Sequence, residues 1–207
     1  REILGKKVTI IIGGPSIDSN LKMQKIFFEK SFPNVDGIVI NEGEIAFSNI
    51  LEKIIDNKAK AFNEPVDGLS FIKDGEVLTG RPIGTSTDIS KLNSPFLSGI
   101  LDDFLATDYQ PLIQTSRFCP YTCAFCVSGK NRGKLRGFPF EQVKDEINYV
   151  AKKFSDRPHH MLYLADENFG ILTRDVEIAK VIKNANKEFG YPQSISFYND
   201  KRFTETS

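Results

Sequence analysis

Residues 117–126 read RFCPYTCAFC and hold every cysteine of the 207-residue chain. Cys119, Cys123 and Cys126 have the spacing C-x3-C-x2-C. An odd number of cysteines crowded into one loop suits a ligand set better than a disulfide framework. Iron–sulfur clusters are held by cysteine thiolates, usually four of them. With three, one iron of a four-iron–four-sulfur cluster has no protein ligand, and an open metal position is where a substrate or cofactor binds. Just upstream, Leu112 to Ser116 predicts a short strand, so the loop lies at a strand end.

Working outward toward the C-terminus, Val143, Ile147, Val150 and Phe154 form one apolar stripe, which predicts a helix from about Phe140 to Phe154. Met161 to Ala165 is the next strand, ending in Asp166-Glu167-Asn168. Thr173 is the expected cap of a helix carrying Ile178, Val181, Ile182, Ala185 and Phe189, closed by Gly190 and Pro192. Ser194 to Tyr198 is a further strand. Repeated strand–helix steps of this kind suit a (β/α) barrel, in which function sits on the loops after the strands. The cysteines and Asp166-Glu167-Asn168 both fall on such loops. A complete barrel needs more strands than these.

Toward the N-terminus, Val8 to Ile12 is a β-branched run that reads as a strand buried on both faces, ending in Gly13-Gly14-Pro15. A helix from about Asn20 to Lys30 and a strand at Gly37 to Ile40 follow. Then come Glu42-Gly43-Glu44 and apolar residues at helical spacing, Phe47, Ile50, Leu51, Ile54 and Ile55. This is the grammar of a doubly wound, Rossmann-like parallel sheet, with too few strands for a whole domain. Asp74-Gly75 inside SFIKDGEVL predicts a hairpin turn. The expected fold class is therefore α/β. Residues 1–58 form part of a doubly wound domain, 59–110 a linker with a hairpin, and 111–207 the first part of a barrel. The chain starts at Arg1 and stops at FTETS after an apolar stretch, so a segment of a longer chain is expected.

Lys plus Arg and Asp plus Glu each number 27, and hydrophobic residues are 40%. This balance lacks the basic footprint of a nucleic-acid binder. No apolar run approaches the roughly 18 residues of a membrane span, and REILGKK has no signal-peptide core. A reducing cytoplasm is the expected compartment.

CPYTCAFC, with Phe125 immediately before the last cysteine, resembles the cluster motif of the radical S-adenosylmethionine enzymes. The resemblance implies that Cys119, Cys123 and Cys126 hold a 4Fe–4S cluster whose open iron chelates S-adenosylmethionine. Reductive cleavage of the sulfonium then gives a 5′-deoxyadenosyl radical that abstracts hydrogen from a substrate. It further implies a full or partial barrel with the cysteine loop after its first strand, and Phe125 near the adenine. Asp166, Glu167 or Asn168 would contact the methionyl amino group, although the family's usual Gly-Gly-Glu is absent. VTIIIGGPSIDS and VDGIVINEGEIAFSNILEKI resemble the second half of the cobalamin-binding domain fused before many such enzymes. There Gly13, Gly14, Pro15, Gly43 and Glu44 would line the crevice for the cofactor's nucleotide tail. Asn41 stands where that family has its first Gly of Gly-Glu-Gly-Glu. The D-x-H-x-x-G motif that brings a histidine to cobalt in some members is not in the chain. Methyl transfer to an unactivated carbon is the commonest outcome in that family; cyclisation and rearrangement are others.

Other readings stay open on residues alone. A zinc site would need His159 or His160 to reach the loop, and a plain ferredoxin would want a fourth cysteine. A non-catalytic iron–sulfur carrier or sensor with a degenerate N-terminal domain is the alternative from a different class. Lys130, Arg132, Lys134 and Arg136 follow the cysteines and read as a solvated loop, as a site favouring an anionic cofactor or substrate, or as a dock for an acidic electron donor such as flavodoxin or ferredoxin. The substrate is not legible.

Overall fold

The computed structural model describes residues 8–14, 17–57, 62–83, 88–126 and 133–200. Two compact units result, Arg1–Thr87 with Phe125–Arg132 and Asp88–Ala124 with Gly133–Ser207.

The first unit starts from β1 (Ile11–Ile12), shorter than the apolar run and only partly buried. It pairs in parallel with β2 (Gly37–Val39), Ile12 opposite Ile38. Between them, α1 (Leu21–Ile26) is capped by Asn20, whose side chain accepts from the N–H of Lys22 at 2.9 Å and of Met23 at 3.4 Å. The helix expected to Lys30 gives way to one wide π turn over Phe27–Ser31. The wider turn lets Phe32 N–H reach Phe27 O at 2.9 Å and brings the rings of Phe27 and Phe32 to 4.8 Å. A second helix, α2 (Gly43–Asn57), follows β2. It buries Ala46 and Ile50 against Val39, Val66, Leu69 and Phe71.

The expected hairpin forms as β3 (Leu69–Lys73) and β4 (Glu76–Thr79). Asp74 and Gly75 both have positive φ, 51° and 79°, as a two-residue hairpin turn requires. β3 adds antiparallel to β2, giving the order β1-β2-β3-β4. A lone two-stranded hairpin is marginal in water. Leu69 and Phe71 become buried by joining the sheet. Residues 88–110, in contrast, send Ile89, Phe96 and Leu105, the last on α3 (Asp102–Leu105), into the core of the second unit. The stretch expected as one linker is thus shared between the two units.

In the second unit β5 (Leu112–Ile113), β8 (Leu162–Leu164) and β9 (Ile195–Ser196) run parallel in that order. β6 (Ser116–Arg117) and β7 (Arg136–Gly137) form a separate antiparallel pair. Parallel strands added one after another in chain order are the grammar of a (β/α) barrel. α4 (Phe140–Lys153) and α5 (Asp175–Phe189) cover the strands. Val143, Ile147, Val150 and Ala151 of α4 and Ile178, Ile182 and Ala185 of α5 pack with Ile113, Leu162 and Leu164. α5 ends at Gly190, left-handed at φ 75°. Thr173 does not cap α5. Instead Asp175 folds the loop, its Oδ2 accepting from Gly170 N–H at 2.8 Å and Leu172 N–H at 3.0 Å. A single carboxylate oxygen of Asp175 thus takes both amides. Among the described residues no helix is long and apolar enough to cross a membrane.

Candidate cofactor sites

The cysteine loop leaves the second unit between β6 and β7, with Ser116 opposite Gly137 and Arg117 opposite Arg136. Phe118 turns the chain out of β6 with φ 66°, uncommon for a residue with a side chain. The Arg136 guanidinium lies 5.2 Å over its ring.

Asp166 anchors the strand that enters the loop. Its Oδ1 accepts from the N–H of Thr115 at 2.6 Å and of Ser116 at 3.1 Å. Its Oδ2 accepts from the hydroxyls of Thr115 at 2.5 Å and Ser116 at 2.8 Å. A carboxylate has about four lone-pair positions, so this buried group is fully engaged by the neighbouring strand. Arg174, just before α5, donates to Thr115 O at 2.6 Å and to Phe138 O. Its guanidinium passes over Gly137, where a Cβ would stand 2.5 Å from Arg174 Cζ. Burial pushes the neighbouring Asp175 carboxyl upward; the Leu172 and Gly170 N–H bonds pull the other way, and the charge of Asp166 adds to the rise.

Two contacts tie the loop itself. The Tyr121 hydroxyl donates to Asp200 Oδ1 at 2.8 Å, beyond β9. Asn168, 2% exposed, places its amide nitrogen 2.9 Å from Cys119 Sγ. Turned end for end, the same amide donates to the carbonyls of Glu167 at 2.9 Å and Asn199 at 3.3 Å, and presents Oδ1 to the sulfur. A neutral thiol suits the second orientation, because S–H donates. A thiolate suits the first, because it only accepts.

Asp166, Glu167 and Asn168 therefore part ways. Asp166 is a strap between strands, Asn168 faces a cysteine sulfur, and Glu167 is the half-buried carboxylate between them. Thr115, Ser116 and Arg174 were not readable as site-builders. Their only signal is a pair of hydroxyl residues closing one apolar strand and an Asp closing the next.

The donor set fits a cluster. Cys119, Cys123 and Cys126 are free of disulfides and partly accessible, and Cys119 Sγ also accepts the Tyr121 N–H at 3.4 Å. Among the described residues no group of three His, Cys, Asp or Glu side chains is already drawn together as for an ion. That is ordinary for thiols that a metal itself gathers. Phe125 is 87% exposed.

In the first unit, Gly13-Gly14 and Asn41–Glu44 stand after the paired strands β1 and β2. Gly14 has φ 114°, which a side chain would strain. Asn41 takes φ 66°, so it occupies the left-handed position that a glycine would otherwise fill. At Gly43 a Cβ would meet nothing within 4 Å, and φ there is not positive. Neither packing nor backbone requires that glycine. Glu44 is exposed in the first turn of α2; Pro15 lies outside the described residues. A cavity of about 280 Å³ opens nearby, lined by Leu21, Gln24, Ile40, Asn41, Thr79 and Ile83 among others.

No protein-family model matches the chain. It is 34% identical over 194 residues, 90% of its length, to the 2-(S-pantetheinyl)-carbapenam-3-carboxylate methyltransferase of Streptantibioticus cattleyicolor. It is 32% identical over 195 residues, 91% of its length, to the cobalamin-dependent radical SAM methyltransferase TokK of Streptomyces tokunonensis. The chain spans 27% of each of these relatives. Its fold is that of the apo cobalamin-dependent S-adenosylmethionine radical enzyme OxsB, with TM-score 0.59 at 23% identity over 95% of this chain and 27% of that one. With this fold and these relatives, the chain belongs to the radical S-adenosylmethionine superfamily. Within it, the chain falls in the branch that carries an N-terminal cobalamin-binding-type domain.

Proposed function

We propose that the intact protein is a cobalamin-dependent radical S-adenosylmethionine enzyme that transfers a methyl group to a substrate still to be identified. Cys119, Cys123 and Cys126 hold a 4Fe–4S cluster, and S-adenosylmethionine takes its open iron. A cluster held by these three thiolates would supply the electron for reductive cleavage of the sulfonium to methionine and a 5′-deoxyadenosyl radical. A low-potential donor such as flavodoxin or ferredoxin provides that electron. Cobalamin serves as the methyl carrier, its nucleotide tail beside Gly13, Gly14, Pro15, Gly43 and Glu44.

The observation that carries this reading is the position of the cysteine loop. It follows β5 and β6 and is strapped by Asp166 to the loop after the next parallel strand. Strand C-terminal loops are where (β/α) barrels carry their chemistry. Within Asp166-Glu167-Asn168, Glu167 takes the methionyl amino group, since Asp166 has both oxygens committed to Thr115 and Ser116. Phe125 gives an accessible aromatic face to the adenine.

The test is anaerobic reconstitution of the intact protein with iron and sulfide, then dithionite and S-adenosylmethionine. The enzyme forms 5′-deoxyadenosine, and Cys123→Ala abolishes it. An iron–sulfur carrier or sensor would form the cubane and yield no 5′-deoxyadenosine. Uptake of hydroxocobalamin, read by corrinoid absorbance after desalting, separates the cobalamin-dependent form from one with an empty N-terminal domain.

A further inference from the structure

We propose that Asn168 is a positioning residue for the cluster, donating its side-chain N–H to the Cys119 sulfur when that cysteine holds iron. The inference rests on the cluster assignment above and goes beyond it, because it concerns a buried amide outside the cysteine motif.

The geometry gives the amide two competing sets of partners. With Oδ1 toward the sulfur, Nδ2 serves the Glu167 and Asn199 carbonyls at 2.9 and 3.3 Å. This arrangement needs an S–H to face Oδ1. With Nδ2 toward the sulfur at 2.9 Å, it needs an acceptor there. Ligation to iron removes the thiol proton and leaves negative charge on sulfur. An Oδ1 dipole facing that charge becomes repulsive, whereas an N–H facing it makes a charge-assisted bond. Such bonds are roughly twice as strong as neutral ones. Asn168 is almost wholly buried, so water does not screen either term.

A hydrogen bond to a cluster sulfur stabilises the reduced, more negative form and raises the reduction potential. Asn168 therefore makes the cluster easier to reduce.

The experiment uses the intact protein reconstituted anaerobically, with asparagine side-chain amides labelled with ¹⁵N. Pulsed EPR of the reduced cluster should show a ¹⁵N coupling that Asn168→Ala loses. Redox titration followed by EPR should place the midpoint potential of Asn168→Ala below the parent. Asn168→Asp, which adds a carboxylate in place of the donor, should fall lower still. Iron content should be equal in all three. A parental cluster without the ¹⁵N coupling, or variants that keep the coupling or the parental potential, would overturn the inference and leave the cluster assignment standing. If a variant fails to fold, the coupling in the parent alone decides. A parent that takes up no cubane overturns the cluster assignment and this inference with it.

Discussion

Asp166 Oδ1 lies 2.6 Å from the backbone nitrogen of Thr115, so the end of β8 holds the strand that feeds the cysteine loop. Removing the carboxylate strands the N–H groups of Thr115 and Ser116, while their hydroxyls can turn to other acceptors. Two stranded buried donors at about 1–3 kcal/mol each give an expected loss of about 2–6 kcal/mol for Asp166→Ala. Asp166→Asn keeps one acceptor oxygen and is expected to lose less. Urea unfolding of the intact protein measures both. Loss of iron uptake should follow the same order, because the loop's entry strand loosens with the strap.

Arg174 and Gly137 form a second tie that can be isolated. A methyl at Gly137 would stand 2.5 Å from Arg174 Cζ, and that guanidinium is held by two carbonyls. Gly137→Ala is expected to cost about 1–3 kcal/mol, the usual range for overpacking. In an Arg174→Ala background the obstruction is gone, so the same substitution should be close to neutral. A double-mutant cycle in thermal unfolding reads the coupling directly. Equal costs in both backgrounds would show that Gly137 is needed for some other reason.

Much of this architecture was legible because periodicity reports burial. The stripe Val143, Ile147, Val150 and Phe154 predicted α4, and Gly190 closed α5 where expected. Asp74-Gly75 announced its turn, since both residues tolerate positive φ. The crowded cysteines, with a strand before them and a helix after, marked a candidate ligand loop. What stayed hidden depends on partners distant in sequence. Nothing local distinguishes Asp166 from Glu167, because the difference is the row of donors on Thr115 and Ser116, about fifty residues upstream. The hairpin's place in the sheet stayed hidden for a similar reason: burial of Leu69 and Phe71 depends on β2 offering an edge. Thr173 was a reasonable cap by residue type, but Asp175 reaches the paired amides of Gly170 and Leu172.

A pH-dependent tether joins α3 to α4. Lys153 Nζ at 2.8 Å and the Tyr149 hydroxyl at 2.5 Å both donate to Asp102 and hold its carboxyl below the usual carboxylate range. A depressed folded pKa contributes stability above the unfolded value, near about 3.9, and loses it as pH falls through the folded value. The gap in melting temperature between the parent and Asp102→Asn should therefore be full near neutral pH and close in acid below about pH 4. The pair is exposed, so added salt should narrow the gap at neutral pH. A gap unchanged from neutral to acid pH would mean that the carboxylate's charge is not what holds α3.

Gly43 separates the needs of the fold from those of a ligand. It opens α2, lacks positive φ, and has open space where a Cβ would stand. Alanine is the better helix former by up to about 1 kcal/mol, so Gly43→Ala should fold at least as stably as the parent by thermal unfolding. Its methyl group would project where a cofactor's backbone contact is expected, and equilibrium dialysis against hydroxocobalamin should show weakened binding. Gly14→Ala makes the contrast. At φ 114° it should lose stability as well as corrinoid binding, because the strain is in the backbone itself. If Gly43→Ala bound the corrinoid as tightly as the parent, the crevice after β2 would not be where the cofactor approaches the chain.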